Sequence, residues 1–501
     1  EYSMGCYMYM ADQGALIKGL ESIINGMLSA ETEKSDLLGQ VQSGYRASAG
    51  NLIDYLALRS ENIETLQEQL HFQGLSSLTH SESHIRSQLI NTMAWLGNKT
   101  EIPCRIDATS GQALLSKNVT MLFGDNHNKM APSIMVTFDT EFADDGDLVS
   151  NLMKHGMRIA RINCAHDDQQ IWMRMIENVR QAEIKTGLPC KIYMDLAGPK
   201  IRTQVVSKKG IHGKFKVEVG EEVILADLSH KVIKHKKFIA CTLPGIIEHL
   251  EKGQRVFFDD GLFEAEVVDV NGKEARLRML RVSGKKPIIK SEKGINFPDT
   301  AFNIDPLNEY DKACLTFIVK HADMVGFSFV NTAADIEKLQ TELKRLQYAE
   351  FPVIAKIETR QAVDNLPAIL LQGMMAGPVG VMIARGDLAI EIGFERLGEI
   401  QDEILWICEA AHIPVIWATQ VLESLQKQGL ASRSEITDAV HAASADCVMI
   451  NKGEHTNEAL KSLTVILENS RKNSFKYRKI FRKLSIAESF IINLGKKYLN
   501  A

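Results

Sequence analysis

Two short segments hold the most reactive side chains, Val353-Ile-Ala-Lys356-Ile-Glu358 and Met382-Ile-Ala-Arg-Gly386-Asp387-Leu388. Each is an apolar run ending in polar, reactive residues. That is the form in which a buried parallel strand delivers chemistry to the carboxyl end of a barrel. Glu358 and Asp387 are hard oxygen donors suited to Mg²⁺ (or Mn²⁺), which keeps open positions for substrate oxygens. Arg161, Lys356 and Arg202 offer positive charge to phosphate oxygens. The Gly386 amide, with no side chain in the way, can approach a carboxylate closely. Thr419 brings a hydroxyl able to hold a water or relay a proton. A divalent metal and a lysine beside a bound phosphoenol would stabilise both the transferring phosphoryl group and the enolate left behind. Alone, each residue has a plainer reading: Arg161 ties down a loop, His166 is a pairing residue, and Lys356 answers a helix carboxylate.

The elements that must position these residues are legible from residue 132 onward. Eight apolar runs rich in Val, Ile, Met or Phe appear at 134–138, 157–162, 191–194, 324–329, 353–357, 380–383, 414–417 and 447–450. Most are followed by an amphipathic helical stretch, as at 147–155, 169–185, 334–346, 397–411 and 435–443. Eight strand–helix units predict an α/β fold, a (β/α)8 TIM barrel; an open doubly wound sheet is the alternative. The rhythm breaks between the third and fourth runs. There, 204–290 alternates with period two, with turn signals at Asp259-Asp-Gly261 and Asn271-Gly272, which predicts an inserted small β-barrel lid domain. The barrel is thus expected over 132–203 and 291–470. Residues 1–98 read as an all-helical N-terminal extension, with Leu16, Leu20, Ile23, Ile24, Met27 and Leu28 at helical spacing and Ser81 as a helix N-cap. Residues 99–131 read as a loose linker. The basic tail, 471–501, carries Arg471, Lys472, Lys476, Arg478, Lys479, Arg482 and Lys483. It reads as the solvated face of a terminal helix, with an acidic partner or membrane surface as the alternative.

Composition narrows the class. The chain has 501 residues, 45% hydrophobic and 24% charged, with a net charge of -5. A chain of that length and balance builds more than one domain and is not made to coat nucleic acid. Its eight cysteines include no CxxC pair and read as reduced core residues of a cytoplasmic protein. Neither a membrane-spanning run nor a secretory signal is expected.

Taken together and in order, the strand-end segments resemble the pyruvate kinase family over roughly 130–455. They are Arg161-Ile-Asn163-Cys-Ala-His166, Asp195-Leu-Ala-Gly-Pro-Lys200-Ile-Arg202, Phe258-Asp-Asp-Gly-Leu262 and Lys293-Gly-Ile-Asn-Phe-Pro298, then Ser328-Phe329, Lys356-Ile-Glu358, Ala384-Arg-Gly-Asp-Leu388 and Ala418-Thr-Gln-Val-Leu-Glu-Ser424. The resemblance implies phosphoryl transfer from phosphoenolpyruvate to ADP, giving pyruvate and ATP. Lys356 would stabilise the transfer and the enolate, Glu358 and Asp387 would hold the metal, and Thr419 would sit by the carbon that is protonated. Gly386 and Ser328 would line the substrate site with them. Arg161, Arg202 and Lys293 would contact phosphates, with Asn163 and His166 nearby. Members that need K⁺ bind it with Asn, Ser, Asp and Thr, near a Glu; here the corresponding positions include Ala165, Leu196 and Lys200. Lys200 would then replace K⁺, so no K⁺ requirement is expected.

Other departures are present. The first strand continues Thr137-Phe-Asp-Thr-Glu-Phe142, which loses the family's turn near the nucleotide, and the eighth is followed by Asn451-Lys-Gly-Glu-His-Thr456. The family's C-terminal regulatory domain has no counterpart in the tail, so activation through it is expected to be absent. Two further readings stay open: Mg²⁺-enolate lyase or decarboxylase chemistry on another 2-oxo acid, and a non-catalytic binding or effector role. A homo-oligomer, and a protein partner for the N-terminal helices, are also left open.

Overall fold

The computed structural model describes residues 12–125, 131–205, 213–228, 237–283, 287–302, 304–475 and 478–479. Eight parallel strands close into one barrel: β1 (Ser133–Thr137), β2 (Met157–Asn163), β3 (Lys191–Asp195), β4 (Met324–Phe327), β5 (Val353–Ile357), β6 (Val379–Ala384), β7 (Val415–Ala418) and β8 (Cys447–Ile450). Each pairs with its neighbours in sequence order, and β1 pairs with β8 to close the ring. Every residue of β1, β4, β5, β6, β7 and β8 is buried. That is why these strands read as continuous apolar runs: helices cover the outer face and side chains fill the inner one. Phe329, expected in the fourth strand, lies beyond it with a φ of 56°.

The stretch expected to be a loose linker is largely a helix, Ala108–Phe123. Its Asp107 and Ser110 form a reciprocal capping box, which satisfies two of the donors orphaned at a helix start. The helix escapes periodicity because Thr109, Ser110 and Gly111 are weak helix formers. Tertiary contact holds it: Leu122 and Phe123 pack with Met135, Tyr193, Met324, Ile354 and Met382 inside the barrel. A Cβ on Gly111 would lie 2.4 Å from the Ser83 carbonyl oxygen, so the two segments touch backbone to backbone.

The N-terminal helices are joined to the barrel. Leu16, Leu20, Ile24 and Met27 of Gln13–Glu33 are fully buried and belong to the same apolar cluster as the barrel's outer face. Asn51 donates to the Ala410 carbonyl at 2.8 Å, and the His412 ring nitrogens contact Ser48 Oγ at 3.0 Å and the Ser83 carbonyl at 2.9 Å. Ser81 is not a side-chain N-cap; its hydroxyl donates to the Leu78 carbonyl at 2.7 Å and a 3-10 turn follows.

Between β3 and β4 the chain builds a seven-stranded mixed sheet from Thr203–Val205 at one edge to Ile295–Asn296 at the other. Bridging between Arg202 and Gly294, with Thr203 N donating to Lys293 O at 2.7 Å and Ile295 N to Ile201 O at 2.9 Å, joins the two edges. The insert therefore closes on itself as a small barrel with its own core, as expected of a TIM barrel carrying a β lid.

At the far end, the last helix spans Thr456–Asn473 and gives way to a short ladder of Ser474–Phe475 with Arg478–Lys479. The terminal helix expected over 471–501 is not continued through 478–479. Lys476, Arg482 and Lys483 lie outside the described residues.

Candidate active site

At the carboxyl ends of β2 to β5 a buried cluster of charges assembles. Asp195, the last residue of β3, accepts from Arg161 Nε at 3.1 Å and Nη2 at 2.6 Å, and from the Tyr193 hydroxyl at 2.9 Å. Lys356 Nζ lies 3.4 Å from the same carboxylate, 2.9 Å from Glu358 Oε1 and 2.7 Å from Ser328 Oγ. Strand register brings these groups together: Asn163 pairs with Asp195, and Asp195 with Gly326. A Cβ on Gly326 would come within 1.8 Å of the Tyr193 hydroxyl, so only glycine leaves room for the Tyr193–Asp195 bond.

Electrostatics fix the protonation states. Burial alone would strip the Lys356 proton, but the Asp195 and Glu358 carboxylates beside it outweigh that and hold the ammonium above the usual lysine range. Burial would likewise lift Asp195; Lys356 and Arg161 overcome it and keep this carboxyl below its ordinary range. Glu358 is pushed up, first by burial and then by Asp387, against the pull of Lys356. Its second oxygen accepts the Phe329 N–H at 2.8 Å. The Asp387 charge thus adds to the cost of ionising Glu358, an arrangement a cation relieves. Among the described residues no group of three His, Cys, Asp or Glu side chains converges as a metal cage. Two carboxylates suit Mg²⁺ or Mn²⁺ nonetheless, since such ions take one or two carboxylates and fill the rest of the shell with water and substrate oxygens.

A second group forms where β6 and β7 end. The Gly386 N–H donates to Thr419 Oγ1 at 2.9 Å. Thr419 and Gln420 have left-handed backbones, with φ of 66° and 57°, an unfavoured conformation for a β-branched residue. Arg385 is buried and spans this turn. It donates to the Ala418 carbonyl at 3.0 Å and to the Thr419 carbonyl, pairs with Asp438, and lies 4.7 Å over the Trp417 ring.

The remaining expected residues sit around these groups. Lys200 Nζ is 2.9 and 3.0 Å from the two Asp387 oxygens; the cations on Asp195 are Arg161 and Lys356 instead. The lid supplies Lys293, 2.9 Å from Asp259, and Arg202, whose guanidinium donates to the Glu292 carbonyl at 3.1 Å. Asn163 Oδ1 accepts the Ala165 N–H at 3.0 Å. His166 is held below the usual histidine range by burial and then by Lys452, Arg202 and Arg161, so its imidazole is neutral in a field that favours anions. The anionic hub at Asp195 and the bracing at Arg385 had no assigned role in the sequence reading. Tyr193 and Asp195 share a strand face at period two, a signal that was available. The Arg385–Asp438 pair spans 53 residues and had none.

Comparison with known proteins places the chain in a family. The family model for the pyruvate kinase barrel domain covers residues 130–463. The chain belongs to the pyruvate kinase family. A pyruvate kinase from Bacillus licheniformis is 32% identical over 329 residues, 64% of this chain and 54% of its own length. One from Encephalitozoon cuniculi is 34% identical over 339 residues, 66% of this chain and 74% of its own. The chain thus spans about half the length of the bacillar relatives it matches. A crystal structure of a pyruvate kinase from Cryptosporidium parvum shares the fold, with a TM-score of 0.61 at 24% identity over 71% of this chain and 70% of that one. Among the described residues no helix is long and apolar enough to cross a membrane. Of the described cysteines, Cys104 is exposed and the others are buried, and none of them forms a disulfide.

Proposed function

We propose that the chain transfers the phosphoryl group of phosphoenolpyruvate to ADP, giving pyruvate and ATP, with Mg²⁺ or Mn²⁺ and without K⁺. The observation that carries this reading is the Lys356 ammonium, kept charged and fixed by Ser328, Glu358 and Asp195. In the reaction, an ADP oxygen attacks phosphorus while the bond to the enol oxygen breaks; the enolate keeps that electron pair and then takes a proton at its terminal carbon. Lys356 faces the charge that develops on the phosphoryl group and the enolate oxygen, and needs no reorganisation to do so. Arg161, anchored on Asp195, adds positive charge for the transferring group. Glu358 and Asp387 would hold the divalent ion, which when bound polarises phosphoryl and carboxylate oxygens as a Lewis acid. Thr419 Oγ1 accepts the Gly386 N–H, leaving its own proton free to serve the methylene carbon. Arg202 and Lys293 reach nucleotide phosphates from the lid, with Asn163 and His166 beside them.

Independence from K⁺ is supported by chemistry at the corresponding positions. Ala165 and Leu196 offer no hydroxyl ligand, and the ammonium of Lys200 is a fixed cation inside the site. The deciding measurement is pyruvate formation from phosphoenolpyruvate and ADP with Mg²⁺, with and without K⁺, beside Lys356→Met. Turnover without K⁺ that vanishes in the variant is the expected result. A strict K⁺ requirement would remove the role of Lys200. No turnover in a folded protein that still binds Mn²⁺ would overturn the reading and move the weight to enolate chemistry on another 2-oxo acid.

A further inference from the structure

A cavity of about 470 Å³ lies between the lid and the barrel, a volume typical of small-molecule sites. Its lining reaches Lys200 and Asp387 at one end, but includes none of Lys356, Glu358, Gly386 or Thr419. It is therefore a chamber beside the reacting groups. Phe297 and Phe302, on the segment by which the chain returns from the lid, give it an aromatic wall, and Phe329 adds to this from the barrel.

The polar part of the lining is unbalanced. Asn296 is 8% exposed, and its Oδ1 has no hydrogen-bond partner. Its Nδ2 donates to Glu391 Oε1 at 3.3 Å, so the amide orientation is set and the oxygen is the atom left over. A buried acceptor without a donor is costly and marks where a ligand N–H would be favoured. Glu391 beside it is pushed up to about 7, by burial first and by the nearby Asp387 charge. The cations lining the cavity offset this only in part: Lys200 is committed to Asp387, and Arg360, whose charge draws Glu391 down somewhat, donates to the Glu391 backbone carbonyl at 3.4 Å. The cavity that carries the aromatic wall is thus also lined by two acceptor groups, the unpartnered Asn296 Oδ1 and the Glu391 carboxylate.

We propose that this cavity binds a small apolar amine. Its protonated nitrogen would donate to Asn296 Oδ1 and the Glu391 carboxylate, and its apolar body would lie among Phe297, Phe302 and Phe329. An ammonium has three donors and no acceptor, which suits two acceptors, and aromatic faces attract cations further. A carboxylate ligand would face Glu391 with like charge. A neutral alcohol would satisfy Asn296 but leave Glu391 uncompensated.

The test is calorimetric titration of the full chain with 2-phenylethylamine, with 2-phenylethanol and 3-phenylpropionate as neutral and anionic counterparts. Because it reads binding alone, its outcome is separate from that of the catalytic reading. The amine is expected to bind about tenfold or more tighter than either counterpart, the discrimination one charge-assisted hydrogen bond supplies. Glu391→Gln is expected to weaken the amine about tenfold while leaving the alcohol unchanged. Phe302→Ala weakens both amine and alcohol, and decides the matter if the Glu391 variant fails to fold by circular dichroism. Equal affinity for amine and carboxylate, an amine affinity untouched by both substitutions, or no saturable binding to folded wild type would overturn the proposal.

Discussion

Asp195→Asn tests whether the charge cluster at the barrel mouth is held together by balance. In the wild type, two buried cations, Arg161 and Lys356, face two buried anions, Asp195 and Glu358. Asp195 is 1% exposed and touches both cations. At an effective dielectric of about 20, each contact is worth about 4 kcal/mol. Part of that offsets the desolvation the carboxylate no longer suffers once neutral. Losing one partner of a buried pair costs about 3–5 kcal/mol net. The assay is urea unfolding at pH 7, read by the fluorescence of the barrel tryptophans Trp172 and Trp417, both fully buried. With a slope of about 3 kcal/mol per molar urea, the midpoint should fall by about 1 to 1.7 M at unchanged slope. Adding Lys356→Met to Asp195→Asn restores one cation against one anion. The double variant should therefore recover part of the loss rather than add a second one. A single-variant midpoint within about 0.3 M of wild type, or a double variant that falls by a further full increment, would refute the balance argument.

Three other outcomes follow from the same geometry. Arg385→Lys cannot hold the Ala418 and Thr419 carbonyls and Asp438 together, so steady-state kinetics should show kcat down about 100-fold, the usual effect of slight misplacement of a reacting group, with KM for phosphoenolpyruvate changed far less; equal loss in both would make Arg385 merely structural. Glu391, raised to about 7 in the fold, contributes stability that is present below the ordinary carboxylate range and lost as pH rises through 7. Wild type should therefore lose on the order of 2 kcal/mol relative to Glu391→Gln between pH 5 and 8, read from paired urea titrations. Gly111→Ala pushes a Cβ to 2.4 Å from the Ser83 carbonyl oxygen; it should cost about 1–3 kcal/mol by overpacking, where the same change in an open helix would stabilise, and a gain in melting temperature would show that the contact yields.

What the sequence discloses here depends on whether a residue's role is set by its neighbours in the chain or across space. The eight barrel strands are legible because burial on both faces leaves β1 and β4 through β8 dominated by apolar residues, with the few polar ones, such as Thr137 and Lys356, at or near the strand ends, and the lid because half-buried strands alternate, as Phe263–Asn271 does. The helix 108–123 is not legible, since its first turn is held by Ser83 and its last by the barrel interior, neither of which local propensity records. The same division runs through the site. Lys356, Glu358, Gly386, Asp387 and Thr419 stand out because each breaks an apolar run at a strand end. Their partners do not: Asp438 braces Arg385 from 53 residues away, and Lys200 meets Asp387 across 187. Lys200 shows why this matters. By the resemblance it is the cation that replaces K⁺; in the structure it closes on Asp387, the carboxylate proposed to hold the divalent ion, so a bound ion would share Asp387 with it. Metal affinity is then coupled to where the Lys200 side chain goes, and Lys200→Met should change Mn²⁺ affinity even in the absence of substrate.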